Sequence, residues 1–427
     1  MLVRQMSELQ VRWHGQTLVI GDGDADLSTD LLQSLPVEPD RCTVLVLDAA
    51  TADVQALEQI LDTWLPPAIR SVRLALSRAG ASGLAQQLAD RMDIEVIAPD
   101  GPVVLLPAGV LFVTSPAFAK DSASAPKDGT PDRIQGGLGG WWTHRPGQHP
   151  DRQGPHHPAP PWLVELPKRQ RLRPSALVAH AIPCGVWLHT RGRRPVSPDD
   201  PAFAIPADPH RITVLIGRPG SRSVPIKALY AWLAALPYAT LEALTLMPYG
   251  QAGTNLDAVA EKLSEAFLVT VQRTAGVPAF GADGTSLYAL VDDDGQPLAR
   301  RIVQRLSYQS EFLHDVNAWL NPLTGSVGTD QTRIPVGPGW VLEVVRSGLW
   351  LHDGAAPDDR EIAGRPADAD TETFVVDVGG DPDGEALARW IAAGLPGDIA
   401  VNLRWEVRTA AAGDGSDRIM TTAKDET

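Results

Sequence analysis

"TVLIGRPGSRSVPIKALYAWLAALP", residues 213–237, passes from a strand pattern through a turn to a helix pattern. Thr213–Ile216 is an unbroken run of β-branched and apolar residues, the pattern of a strand buried on both faces. Gly217, Pro219 and Gly220 then break it. From Val224 onward the apolar residues recur at helical spacing, until Leu236-Pro237 stops them because proline cannot continue a helix interior. Two other stretches repeat the sentence. "TVLVLDA" at 43–49 precedes "DVQALEQILDTWLP", and "TFVVDVGG" at 373–380 precedes "GEALARWIAAGLP". A second strand follows each helix: "SVRLALSRAG" (71–80), "LEALTLMPYG" (241–250) and "IAVNLRWEVR" (399–408).

Working outward, each copy opens on a similar cluster. "VRWH" ends at His14, "VWLH" at His189 and "LWLH" at His352. His14 and His189 are 175 residues apart, as are Gly101 and Gly276, and Gly109 and Gly284. Copies one and two run on together through a second helix ("GLAQQLADRMD", "NLDAVAEKLSEAF") into a strand and closing hairpin. Alternating strand and helix implies parallel pairing through right-handed crossovers. The expectation is an α/β protein. It has two full copies and one partial copy of a layered, Rossmann-like strand-helix-strand-helix-strand module, joined by irregular linkers. The modules are placed at 8–116, 179–307 and 347–411 (the partial copy). The Trp-Leu-His clusters read as strands that begin each module, with tryptophan in the core and histidine at a rim.

Between the modules the composition changes. Residues 117–178 are rich in Pro, Gly, Ser and charge and hold His144, His149, His156 and His157, the pattern of a linker. Their spacing, without Cys or paired carboxylates, does not build a metal site. "GGWW" at 139–142 reads as an aromatic pair that docks on a neighbouring surface. "KRQRLR" at 168–173 is the one dense basic run and reads as a solvated face. Residues 308–346 read as a second linker, in which "SEFLHDVNAWLNPLTGSVG" forms a short helix ended by Asn-Pro. Residues 412–427 read as a disordered tail.

The net charge of −15 and the pI near 5.1 argue against a nucleic-acid binder, since neutralising phosphates needs a basic surface. Two cysteines, Cys42 and Cys184, cannot frame a chain of 427 residues with disulfides and read as small buried side chains. "MLVRQMSELQVRWHGQ" lacks the apolar core of a signal peptide, and no stretch approaches the ~18 apolar residues of a spanning helix. These readings place the protein in the cytoplasm, away from membranes. The predominance of arginine among the basic residues, with abundant Ala, Gly and Pro, is the coding habit of a GC-rich genome.

"GDGDADLSTD" (21–30) alternates Asp22, Asp24 and Asp26 like a calcium loop, but Leu27 and Gln33 stand where that loop needs Gly and Glu. The strand ends show no nucleophile elbow and no paired Cys and His; they carry Ser77 and Arg78 in copy one, Pro248 and Tyr249 in copy two. No catalytic residue, metal ligand or cofactor is assigned. Copy two has the one binding candidate. In open α/β sheets ligands sit beyond the carboxyl ends of the strands. There Arg218, Gly220, Ser221 and Arg222, with Tyr249 from the next strand, could hold an anion at a helix amino end. Copies one and three have "DAATAD" and "VGGDPDG" at that place, so the site is not shared.

The segment "LADRMDIEVIAPDGPVVLLPAGVLFV" (88–113), its partner at 263–290 and "GGWWTHRPG" carry a resemblance over about half the chain. It is to large actinobacterial multidomain proteins that string together diverged α/β modules, some similar to degenerate caspase-type peptidase domains. The resemblance implies a role in secreted-toxin, conflict or cell-surface systems. The catalytic Cys and His of an active member have no match at the strand ends, so it implies an inactive, binding-only version.

The function expected from the sequence is therefore noncatalytic: a multi-module protein that binds a partner protein or scaffolds an assembly. The alternative is a hydrolase-like enzyme or anionic small-molecule binder that works through module two.

Overall fold

A computed structural model describes residues 10–21, 32–47, 53–106, 109–114, 139–159, 177–190, 196, 200–208, 210–250, 255–280, 286–292, 294–309, 314–329, 331–354, 359–368, 371–408 and 418–420. The chain is mixed α/β and divides into two compact units. The first is 1–171 with 179–186 and 196–212; the second is 172–178, 187–195 and 213–427. The calcium-loop-like stretch, the basic run at 168–173 and Gly284 lie outside the described residues.

The first sheet opens on a hairpin, β1 (Gln10–His14) and β2 (Thr17–Gly21). Then come β3 (Arg41–Val46), α1 (Val54–Trp64), β4 (Ser71–Ala75), α2 (Leu84–Met92) and β5 (Glu95–Pro99). β2 to β5 pair in parallel, in chain order. Alternate residues of each strand serve opposite faces. Leu18, Ile20, Val44, Val46, Val72 and Leu74 meet Leu57, Ile60 and Leu61 of α1 and Leu88 of α2. Each such leucine contributes about 2 kcal/mol by leaving water. α1 starts where the Asp53 carboxylate accepts from Ala56 N at 2.8 Å, and it stops before Leu65-Pro66. On the other face, Val19, Leu45, Ala75 and Ile97 pack under Leu32, Leu35, Leu111, Val113 and Trp141.

That second face corrects the linker reading of 117–178. Beyond β6 (Val103–Leu105) and β7 (Leu111–Val113), residues 141–157 return to the sheet. β8 (Trp141–His144) pairs antiparallel with β5, β9 (Asp151–Arg152) pairs with β8, and β10 (His156–His157) pairs with β7. Trp141 is fully buried, and the Trp142 indole donates to Asp100 Oδ2 at 2.8 Å. Glycines and prolines around "WWTH" dominate the composition, but a sheet margin needs only four extended residues to be completed.

The second sheet has the same order of connections. Its strands are β11 (Leu177–Ile182), β12 (Gly185–Thr190), β13 (Ile212–Ile216), β14 (Leu244–Pro248) and β15 (Val271–Thr274), with α3 (Ile226–Leu233), α4 (Tyr238–Glu242) and α5 (Leu256–Phe267) between them. β16 (Val277–Phe280), β17 (Ser286–Val291) and β18 (Pro297–Arg300) form a small separate sheet, as β6 and β7 do with β10. β19 (Val303–Tyr308) then returns antiparallel to β15, followed by β20 (His314–Leu320) and β21 (Val327–Gly328). β20 is the segment expected to be a helix within 308–346. Pairing with β19 along its length overrides its helical spacing, and the chain then turns at Asn321, whose Oδ1 accepts from Leu323 N at 2.9 Å.

The third sheet is β22 (Arg333–Gly337), β23 (Trp340–Val345), β24 (Gly348–Asp353), β25 (Glu372–Asp377), β26 (Leu403–Arg408) and β27 (Arg418–Met420), with α6 (Arg360–Ala363), α7 (Pro382–Gly394) and α8 (Gly397–Ala400). It begins before the expected boundary at 347. β27 also lies within the stretch expected to be a disordered tail and pairs with β26. Within the second unit, Arg300 at the end of β18 in the small sheet binds Asp398 of α8 through its fork, at 2.8 Å twice. Glu372 adds another tie, accepting from Ile302 N at 2.7 Å.

Strand pairing also corrects the alignment on histidine. β24 and β25 pair Leu349 with Phe374 and Trp350 with Val375; β2 and β3 pair Leu18 with Val44 and Val19 with Leu45. The counterpart of "GLWLH" in the first sheet is therefore "TLVIG", 17–21. His14 lies across the hairpin, opposite Thr17. A strand buried on both faces accepts Val19 where another has tryptophan, so that strand carries no aromatic landmark, and Trp13 of β1 stands out in the sequence instead.

Candidate functional site

Beyond the carboxyl ends of β13 and β14 the second sheet opens a narrow cleft. It is lined by Ile216, Gly217, Arg218, Ser221, Arg222, Ser223, Val224, Pro248, Gly250 and Leu256. Both strand ends reach one cleft, as parallel neighbours must. Three of the five residues expected at this place, Arg218, Ser221 and Arg222, line it. Gly220 belongs to the same turn, in the left-handed region at φ 65°, but is not part of the wall. Tyr249 is buried at 2% exposure; it sits behind the wall, and its backbone N–H donates to Ile216 O at 2.7 Å.

What sets the geometry is Trp187 of β12, a residue the sequence reading assigned only to the core. Its indole N–H donates to Gly217 O at 2.7 Å. Its ring takes the edge of Tyr249 at 5.6 Å and lies 5.8 Å from the Arg218 guanidinium carbon, a cation–π approach. Gly217 and Gly250, at φ 94° and 95°, press the two strand-end turns together. A Cβ on Gly217 would stand 2.6 Å from Tyr249 O, and one on Gly250 2.9 Å from the Arg218 carbonyl carbon. Thr190 Oγ1 donates to Arg222 O at 2.7 Å. The turn is therefore held by β12 at both of its arginines.

The repeated histidines prove to be neighbours of the repeated tryptophans. His189 leans on Trp187 at 4.9 Å and His352 on Trp350 at 4.2 Å. In each, Nδ1 lies 2.6 Å from the carbonyl of the following residue. The spacing of two along a strand puts both rings on one face. His352 also meets a carboxylate, Glu343 Oε2 at 3.3 Å. Burial pulls its pKa down, but Glu343 and the Asp353 carbonyl outweigh it and the net shift is upward. Across the sheet Asp377 is shifted up by burial against the pull of Arg408, which binds Asp359 at 2.9 Å.

Of the four histidines of 139–158, His149 is exposed and the other three serve the first unit's interior. His144 contacts Gln86 Oε1 at 3.2 Å; His156 Nε2 lies 2.9 Å from Pro183 O and stacks edgewise on Phe112. His157 Nδ1 accepts from Arg73 Nε at 2.7 Å. Burial holds His156 down to about 4, and burial with the Arg73 charge holds His157 down to about 3, so both are neutral. Arg73, 1% exposed, also donates to Thr43 Oγ1 at 2.9 Å and pairs with Glu38. Nothing in "SVRLA" announced this network except an arginine at a position otherwise facing apolar neighbours. Both cysteines are buried, and burial pushes the Cys42 thiol up to about 11. Among the described residues, no group of three or more His, Cys, Asp or Glu is placed to hold a metal ion. None of their helices is long and apolar enough to cross a membrane.

No family of known proteins, no curated protein and no solved structure matches the chain.

Proposed function

We propose that the chain is a noncatalytic, multi-module protein that binds a partner protein or scaffolds a larger assembly. The observation that carries this reading is one strand order used with different chemistry. The first two sheets share a hairpin, parallel crossovers and an antiparallel return, and the third shares the first part of that plan. At the position that follows the buried core of β3, β13 and β25 stand Leu47, Gly217 and Asp377. A module kept for its surface can vary those positions freely; one kept for a reaction cannot. The histidine geometry agrees, since His189 and His352 each turn Nδ1 toward a backbone carbonyl. We place the protein in the cytoplasm, apart from nucleic acid and membranes, and read the modules as diverged copies of one another. The relation to degenerate caspase-like modules of bacterial conflict systems belongs to the same proposal.

Native mass spectrometry of the full chain, gently purified from its own host, tests the reading. A stoichiometric second protein in the native mass is expected. A bare chain that hydrolyses a peptide or ester substrate would overturn it.

A further inference from the structure

We infer that the cleft beyond β13 and β14 is a site for a single phosphate group, carried on a small molecule or present as the free ion. Its ten wall residues include two arginines, two serines and no carboxylate, on a chain whose net charge is −15. A cationic recess that survives in so acidic a protein concentrates anions locally. Arginine presents a planar fork of donors that matches a tetrahedral oxyanion, and serine hydroxyls complete such a set. Leu256, the first residue of the twelve-residue helix α5, lines the same cleft. That helix begins at the cleft wall, with Asn255 capping it by accepting from Ala258 N at 3.0 Å, so the anion-binding charge rests on the two arginines.

The site is also built in advance. The Trp187 indole holds Gly217 O, its ring supports Arg218, and Thr190 holds the Arg222 carbonyl. These contacts leave the Arg222 side chain exposed at the rim, while Gly217 and Gly250 allow the backbone approach that any Cβ would block. Preorganised donors lose little entropy on binding. Ile216, Val224, Pro248 and Leu256 narrow the recess, so it suits one terminal phosphate and not a nucleotide base. The third sheet has Asp377 where this one has Gly217, so the charge needed here is reversed there.

Isothermal titration of the full chain with inorganic phosphate, against sodium chloride at equal ionic strength and against acetate, tests the inference. Saturable phosphate binding is expected, at least tenfold tighter than acetate. Arg222→Ala should weaken it at least tenfold, because it removes a charge-assisted contact. Arg222→Lys should fall between, keeping charge but losing the fork. Arg404→Ala, on the exposed face of β26, should bind like wild type. The thermal midpoint without phosphate checks that each variant is folded. No saturable binding by wild type, equal affinity for acetate, or wild-type affinity in a folded Arg222→Ala would each overturn the site. None of these results bears on the scaffold reading, which stands or falls on the native mass of the complex.

Discussion

Arg73 in the first compact unit and Glu372 in the second are both buried charges, held in opposite ways. In the first, Arg73 lies under the sheet with its fork divided among His157, Thr43 and Glu38. In the second, Glu372 is 5% exposed and is met by backbone amides, Ile302 N at 2.7 Å and Val303 N at 3.4 Å, with Arg301 nearby. An arginine does not surrender its proton in a protein, so its burial obliges the fold to supply partners. A carboxyl can take up a proton, so the fold can leave it with donors too weak to hold the charge. Burial raises Glu372 to about 7, against the opposing pull of Arg301 and the two amides. The first device is a permanent lock; the second depends on pH.

The largest effect expected is on the lock. Arg73→Met strips Glu38 and His157 of their shared donor and should destabilise the first unit by about 3 kcal/mol, the low end for a broken buried pair, because Glu38 keeps 30% side-chain exposure. Hydrogen exchange of the β3 and β4 amides would show it; protection equal to wild type would mean the network is ornamental. Next in size is the pH response. A carboxyl whose folded pKa is raised stabilises the fold fully below about 4.5, and that contribution is lost as pH climbs through about 7. The second unit should lose roughly 2–3 kcal/mol between pH 5 and 8. Glu372→Gln keeps an oxygen for both amides and should flatten the profile, read as urea midpoints at the two pH values. An unchanged slope would move the titration to another group.

The smallest effect is expected in β24, the Trp-Leu-His strand of the third sheet. His352 faces Glu343 and its pKa is shifted up, so its pairing stabilises the fold at acid pH and fades as pH rises through the folded value. Glu343→Gln should cost about 1 kcal/mol more at pH 5.5 than at pH 8.5, where only its exposed pair with Arg333 is lost. NMR should show the His352 pKa falling. A His352 pKa that does not fall would deny that Glu343 is what holds it up.

Much of the scaffold was legible because it rests on local rules. Thr43, Thr213 and Thr373 do lie in the strands foreseen, and Leu65-Pro66 and Leu395-Pro396 do end their helices. The Arg218–Arg222 turn stood out for the same reason, since glycine and arginine after a buried strand are read residue by residue. The failures are at long range. His14 was matched to His189 because both follow tryptophan, yet only pairing with β3 reveals that β2 is the equivalent strand. The tryptophan pair at 141–142 was foreseen to dock on a neighbouring surface, and Trp141 does pack with Ile97 and Val113, but the pairing of β8 with β5 was hidden by the composition of its surroundings.

The amino-acid sequence by itself determined the α/β class, the crossovers and the charged turn, since hydrophobic period and helix stops act within a few residues. Only the tertiary structure decided that β8 and β20 are strands, that Arg73 has partners and that Trp187 braces the cleft. Each of those depends on which surface a segment finds already waiting when it arrives, and no local pattern encodes a surface made by residues dozens of positions away.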